Sequence, residues 1–292
     1  MSAKPNFRAL IAPVVLLSVA LPCAAEADQT TSRWETALAD TKPIFNARLR
    51  YEGVEQEGLP EDASALTYRF RAGFETGKIF DTALLVEFDH IDDLIDDFNS
   101  TINGKTGYPV VADPNATELN RFQLTNTSLP DTIITLGRQR IGLDDARFVG
   151  NVGWRQNEQT FDGARVQNSS LGELKVDFTY IAQINRIFGD DSAVGRWDGD
   201  SYLLNLSHPT PIGTLTGFAY QIDVDNAGGV FSSQTVGARL AGKQAIGTGK
   251  LGYTVSYATQ SDQGQPDSLH RGLASGNGFM DHGLVVRCLP TR

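Results

Sequence analysis

The chain has 292 residues, a formal net charge of −10, and 40% hydrophobic against 21% charged residues. This composition excludes a collagen-like chain, a disulfide scaffold and a disordered polyelectrolyte, and its acidic balance argues against a nucleic-acid partner. Mean hydropathy of −0.23 and a single long apolar run exclude a multi-span helical membrane protein. They do not exclude a membrane β-barrel, whose wall needs only every second residue to be apolar.

Residues 1–27 read as a secretory signal. Lys4 and Arg8 precede the apolar stretch Ala9 to Leu21, and small residues around Ala25 and Ala27 offer cleavage sites. Cys23 as a lipid attachment site is a weaker alternative, because Pro22 precedes it. Without the leader only Cys288 remains, so no internal disulfide can hold the exported fold.

The N-terminal segment, residues 28–43, has room for a short helical turn near Trp34 to Asp40. From Ile44 the period becomes two. Phe45, Leu49 and Tyr51 alternate with Arg48, Arg50 and Glu52, and Leu66, Tyr68, Phe70 and Phe74 with Arg69, Arg71 and Glu75. Leu84, Val86 and Phe88 alternate with Glu87 and Asp89, and Phe122 and Leu124 with Arg121 and Gln123. Similar alternation follows around 174–184, 218–224, 236–240 and 251–257, with weaker candidates near 132–140, 160–167 and 201–207. About eleven strands result, many of the length a tilted strand needs to cross a bilayer. Phe218, Tyr220, Ile222 and Val224 form the apolar phase of the stretch 218–224, expected to face lipid. Aromatics near strand ends (Tyr51, Phe74, Phe88, Tyr180, Tyr202, Tyr257) suit interfacial girdles. Short connections alternate with long polar ones at Ile91 to Thr117, Ile141 to Gln159 and Arg186 to Asp200. The fold class expected is all-β, a transmembrane antiparallel β-barrel over residues 44–262.

If the apolar phase faces lipid, the other phase lines a lumen. It then carries Arg48, Arg50, Arg69, Arg71, Arg121, Lys175 and Arg239, with Arg165 joining if its phase allows. Guanidinium groups stay charged and grip carboxylates in a bidentate way, which suits transient contact with acidic solutes. The competing reading pairs these cations with Glu52, Glu75, Glu87 and Asp89 as structural fillers. A run of acids (Asp92, Asp93, Asp96, Asp97) has the oxygen density for calcium, but lacks EF-hand spacing and reads better as a solvated loop. No catalytic motif stands out: there is no G-x-S-x-G, H-E-x-x-H or C-x-x-C. Ser207 and His208 are neighbours and so lie on opposite strand faces. No cofactor is expected.

One stretch is dense in Arg, Gln, Asn and Trp: Gly137-Arg138-Gln139, then Arg147-Phe148-x-Gly150, then Trp154-Arg155-Gln156-Asn157-Glu158-Gln159-Thr160-Phe161-Asp162. It could fold into the lumen as a constriction, or be a network that pins the loop. This string resembles the alginate-export family of outer-membrane porins over about residues 40 to 262. The resemblance implies a monomeric barrel, 18-stranded in the type member, with an Arg-rich lumen and export of a polyuronate. It also implies that Arg138, Gln139, Arg147, Trp154, Arg155, Gln156 and Asn157 are lumen or constriction contacts. The chain departs from that pattern in two ways. Too few strands are legible, and the segment 263–292 loses the alternation and ends without the terminal Phe or Trp strand such barrels carry. That segment reads as a frameshifted or foreign tail, with a divergent natural C-terminus as the alternative.

The expected function is an outer-membrane porin passing anionic or carbohydrate-like solutes, polyuronates among them, without catalysis. Its partners would be outer-membrane lipid, those solutes and the barrel-assembly machinery. A barrel hydrolase and a soluble exported polysaccharide-binding β-protein are the alternatives.

Overall fold

A computed structural model describes residues 26–227, 231–246, 249–262 and 279–289. Residues 1–25 of the expected leader and 263–278 of the tail lie outside the described residues, whereas Glu26 and Ala27, the last two of that leader, fall inside them as the start of a helix. One helix, α1 (Glu26–Ala39), precedes twelve strands: β1 (Lys42–Val54), β2 (Ala63–Glu75), β3 (Thr82–Asp97), β4 (Ala116–Asn126), β5 (Thr132–Gln139), β6 (Thr160–Leu171), β7 (Leu174–Asn185), β8 (Arg196–Thr210), β9 (Gly213–Ile222), β10 (Ser233–Ile246), β11 (Gly249–Asp262) and β12 (Phe279–Leu289). They form a single sheet in sequence order, every neighbour antiparallel, with β1 and β12 at its two edges. The eleven strands legible in the sequence are β1–β11. The twelfth lies in the segment expected to lack strands, where its backbone pairs with the free side of β11.

The connections sort by rim. Those after β2, β4, β6 and β8 are brief, whereas those after β3, β5 and β7 run through 98–115, 140–159 and 186–195. The first long connection starts later than expected, because β3 continues through Asp97 and carries the acidic run as paired strand. α1 lies at the rim of brief turns, where Gly77 N–H donates to the Ala37 carbonyl.

Alternation sets the two faces. On β2 and β3, Thr67, Arg69, Arg71, Glu87, Asp89 and Ile91 are buried on one face, while Phe70, Phe74 and Phe88 are exposed on the other. Tyr51, Tyr202 and Tyr257 are likewise exposed. The sheet curls around the 140–159 loop: Gln156 of that loop bonds Arg48 on β1, and Asp144 of the same loop reaches Arg239 on β10.

On β9 the expected phase is reversed. Phe218 and Tyr220 are buried with Ile141, Leu143 and Val149 of the loop and with Ile181, Ile184 and Leu203. Leu215 is the large apolar residue exposed on that strand. The reason is packing: the loop brings apolar side chains inside, and burial against them outweighs exposure to the outside. On β7 a register shift between Ile181 and Gln183 turns Ile184 inward as well.

Candidate functional site: the inner face and its folded loop

The 140–159 loop is fastened to β1–β4 by polar side chains. Gln156 is fully buried. Its side-chain amide donates to Thr67 O and Oγ1 at 3.0 and 2.9 Å, and its Oε1 accepts from Arg48 Nε at 2.9 Å. Its carbonyl accepts from Arg69, and its N–H donates to Asp113 at 2.8 Å. Arg48 also donates to the carbonyls of Gly153, Trp154 and Arg155. Asp113 comes from the 98–115 loop and pairs with Arg50. The two long loops therefore brace each other.

Deeper on the same face, two buried carboxylates collect three arginines. Glu87 is paired with Arg121 and Arg140, each at 2.6 Å, and stands 3.5 Å from Arg71. Glu158 is paired with Arg71 at 2.7 Å and with Arg140. Arg71 also forks onto Asp89 through two 2.6 Å bonds. Asn120 donates to both Glu87 and Glu158, at 2.8 and 2.7 Å. A register shift between Glu87 and Phe88 leaves Asn120 opposite no partner, so Asn120 and Arg121 both reach Glu87. Burial alone would raise the Glu158 carboxyl, but Arg140 and Arg71 with Asn120 hold it below the usual carboxylate range.

In this network most of the inner cations are paired, as the structural reading of them expects. Arg48, Arg50, Arg69, Arg71 and Arg121 do lie on the inner face, but each is engaged by an acid, an amide or a carbonyl. Of the acids expected to pair with them, Glu52, Glu87 and Asp89 do so. Arg155 reaches Glu52 at 3.1 Å, and exposed Trp154 has the Arg50 and Arg155 guanidinium carbons 4.6 and 4.1 Å from its ring centre. Asn157 donates to Glu118, and Gln139 is buried.

Arg138 is a correction. In the ladders it sits opposite Phe122, which is on the outward phase, and opposite Asp162, onto which it forks at 2.8 and 2.9 Å. Directly opposed residues share a face, so Arg138 does not line the interior. Gly137 beside it has φ of +102°, and a Cβ there would meet Phe122 O at 2.3 Å. Glycine is required for that close approach. The acids once considered for calcium also stay apart. Tyr68 donates to Asp92, Lys105 takes Asp96, and no metal-binding group of three such side chains occurs among the described residues.

The inner face beyond β5 is different. Arg165 forks onto Asp177. Arg165 and exposed Lys175 line a cavity of about 260 Å³. A second, of about 650 Å³, is bordered by Arg239, Lys243, Thr214, Thr254 and loop Asp145. Arg239 stands 3.7 and 3.8 Å from Asp144 and Asp145, and its buried Nε has no hydrogen-bond partner among the described residues. Exposed Arg147, at the loop tip, lines a small cavity with Arg239. Sequence reading missed Lys243, although it continues the Gly237, Arg239, Ala241 phase of β10. It also missed Asp113, and it held Arg140 and Glu158 only as members of the dense stretch, because their roles depend on distant partners.

No family model and no curated protein matches the chain. Solved structures are. One is OpdK of Pseudomonas aeruginosa bound to vanillate, at TM-score 0.59 and 16% identity, over 85% of this chain and 62% of that one. Another is OccK8 (OprE) of the same organism, at TM-score 0.56 and 16% identity, over 78% and 56%. A third is OccAB1 of Acinetobacter baumannii, at TM-score 0.57 and 16% identity, over 78% and 54%. The chain thus spans somewhat over half the length of these porins. The alginate-export resemblance finds no support in these comparisons; the string that suggested it is occupied in fastening a loop. What the chain shares with the solved proteins is the fold of an outer-membrane β-barrel porin.

Proposed function

We propose that this chain is the wall and constriction of an outer-membrane channel for small solutes, acting by passive diffusion and without catalysis. The observation that carries this reading is a long loop fastened inside a curled sheet whose outer face is apolar and aromatic. An inward loop narrows a lumen, and the outer face is suited to hydrocarbon. OpdK, which has the same fold, was solved with vanillate, a small carboxylate.

The finer part of the proposal concerns selectivity. The engaged arginines of β1–β4 shape the constriction, and the cations left facing open space carry the preference for anions. These are Arg239 and Lys243, with Lys175 in the neighbouring cavity, where Arg165 is already forked onto Asp177. A guanidinium whose acids stand at 3.7 and 3.8 Å can take a passing carboxylate without breaking a tight pair. A polyuronate is not needed to account for this arrangement. Planar-bilayer recording in a salt gradient tests it. Conductance with a reversal potential on the anion side supports the proposal; no conductance, or a clear cation preference, contradicts it.

A further inference from the structure

On the outer face, at the rim of brief turns, α1 and the wall enclose a groove of about 460 Å³. α1 contributes Trp34, Ala37 and Leu38; the wall contributes Ile79, Phe80, Leu84 and Leu124, with Thr76 and Thr82 the only polar liners. α1 is held there, since Gly77 N–H donates to Ala37 O and Thr41 Oγ1 caps the same carbonyl at 3.0 Å. Yet its large apolar side chains are not covered. Trp34 is 54% exposed, Leu38 69% and the facing Phe80 65%. Leu124, in the groove, is 44% exposed and belongs to the outward phase shared with Phe122 and Leu136.

We propose that this groove holds an acyl chain of a phospholipid in the leaflet at that rim, with α1 lying in the interface as a lipid-held strap. The proposal rests on the reading of the outer face as lipid-facing. The groove continues that face without a break, so whatever covers Phe122 and Leu136 also reaches Leu124 and the space under α1. A helix with Trp and Leu turned to one side and polar residues to the other is suited to this depth. Arg33, whose guanidinium carbon lies 5.1 Å from the Phe80 ring centre, and Lys78, which donates to Thr127 Oγ1 at 2.8 Å, stand at the edge where a phosphate would lie.

The test uses tryptophan quenching by phosphatidylcholine brominated on its acyl chains. The chain is refolded into such vesicles beside its Trp34→Phe and Leu38→Glu variants. Because Leu38 is exposed, the charge it gains does not enter a packed core. The proposal expects a quenched component that vanishes in Trp34→Phe and falls by about half or more in Leu38→Glu, and that is unchanged on tenfold dilution of protein in lipid. An inserted chain whose Trp34 is not quenched, or whose quenching ignores Leu38→Glu, overturns the groove while leaving the lipid-facing wall intact. Quenching that changes with protein density assigns the groove to a second copy and also overturns it. A chain that does not insert at all overturns both readings.

Discussion

Across β1–β4 each inner arginine has an acid, an amide or a carbonyl within hydrogen-bond reach, most of them supplied by the two long loops. On β10, Arg239 stands 3.7 and 3.8 Å from its acids, and Lys243 borders the 650 Å³ cavity. The same residue types on the same face thus do different things. Where acids and carbonyls lie within hydrogen-bond distance of the arginines, the charges are matched and hold backbone in place. On β10 the loop's acids stop short of that distance and leave the Arg239 Nε without a hydrogen bond among the described residues. Counting inward cations along the strands therefore overstates the unmatched charge on that face.

Breaking the anchored region should give the largest effect. Glu87→Ala leaves Arg121 without its acid and takes one acid each from Arg140 and Arg71, which keep Glu158, around a site only 1% exposed, and removing one partner of such a buried pair costs about 3–5 kcal/mol. The loop should come loose, seen as faster tryptic cleavage near Arg147 and Arg155 and as noisier, larger single-channel currents. Gln156→Leu removes buried hydrogen bonds to Thr67 and Arg48, for a loss of about 1–3 kcal/mol and a milder form of the same phenotype.

Neutralising charge in the open region should spare the loop, since Asn205 and Tyr220 still bond Asp144, and move selectivity. The double variant Arg239→Gln, Lys243→Gln should shift the reversal potential toward cations with nearly unchanged tryptic protection. Arg138→Gln, on the outward phase, should not shift it. An equal shift from both would erase the distinction between the regions.

Acid provides a graded test. The Glu158 carboxyl is held below its ordinary range, so its contribution is fully present above the unfolded value and is lost as pH falls through the lowered folded one. Loop protection should persist through mildly acidic pH and weaken only below the usual carboxylate range. Loosening already near neutral pH would contradict the network.

The strands were legible because alternation is a local property. β1–β11 follow from side chains two residues apart, and the girdle aromatics follow from the same pattern. The loop's destination was not legible, because its contacts join residues far apart in sequence, such as Arg48 with Gln156. That same docking reversed β9: Phe218 and Tyr220 read as lipid-facing until Ile141, Leu143 and Val149 arrive to cover them. Arg138 was misplaced because motif spacing does not report which face a residue takes, whereas the ladder with Phe122 does. β12 lacked a clean alternation, yet a free strand edge can be met by backbone alone.

A fixed 140–159 loop, fastened to the wall, is what separates the two regions. Spin labels at Ala146 in the loop and Ser128 in the β4–β5 turn, with the cysteines replaced by serine, allow a pulsed electron–electron distance measurement in vesicles. One narrow distance is predicted, unchanged by solute and broadened by Glu87→Ala. A broad or two-peaked distribution in the parent chain would mean a moving gate and would contradict it.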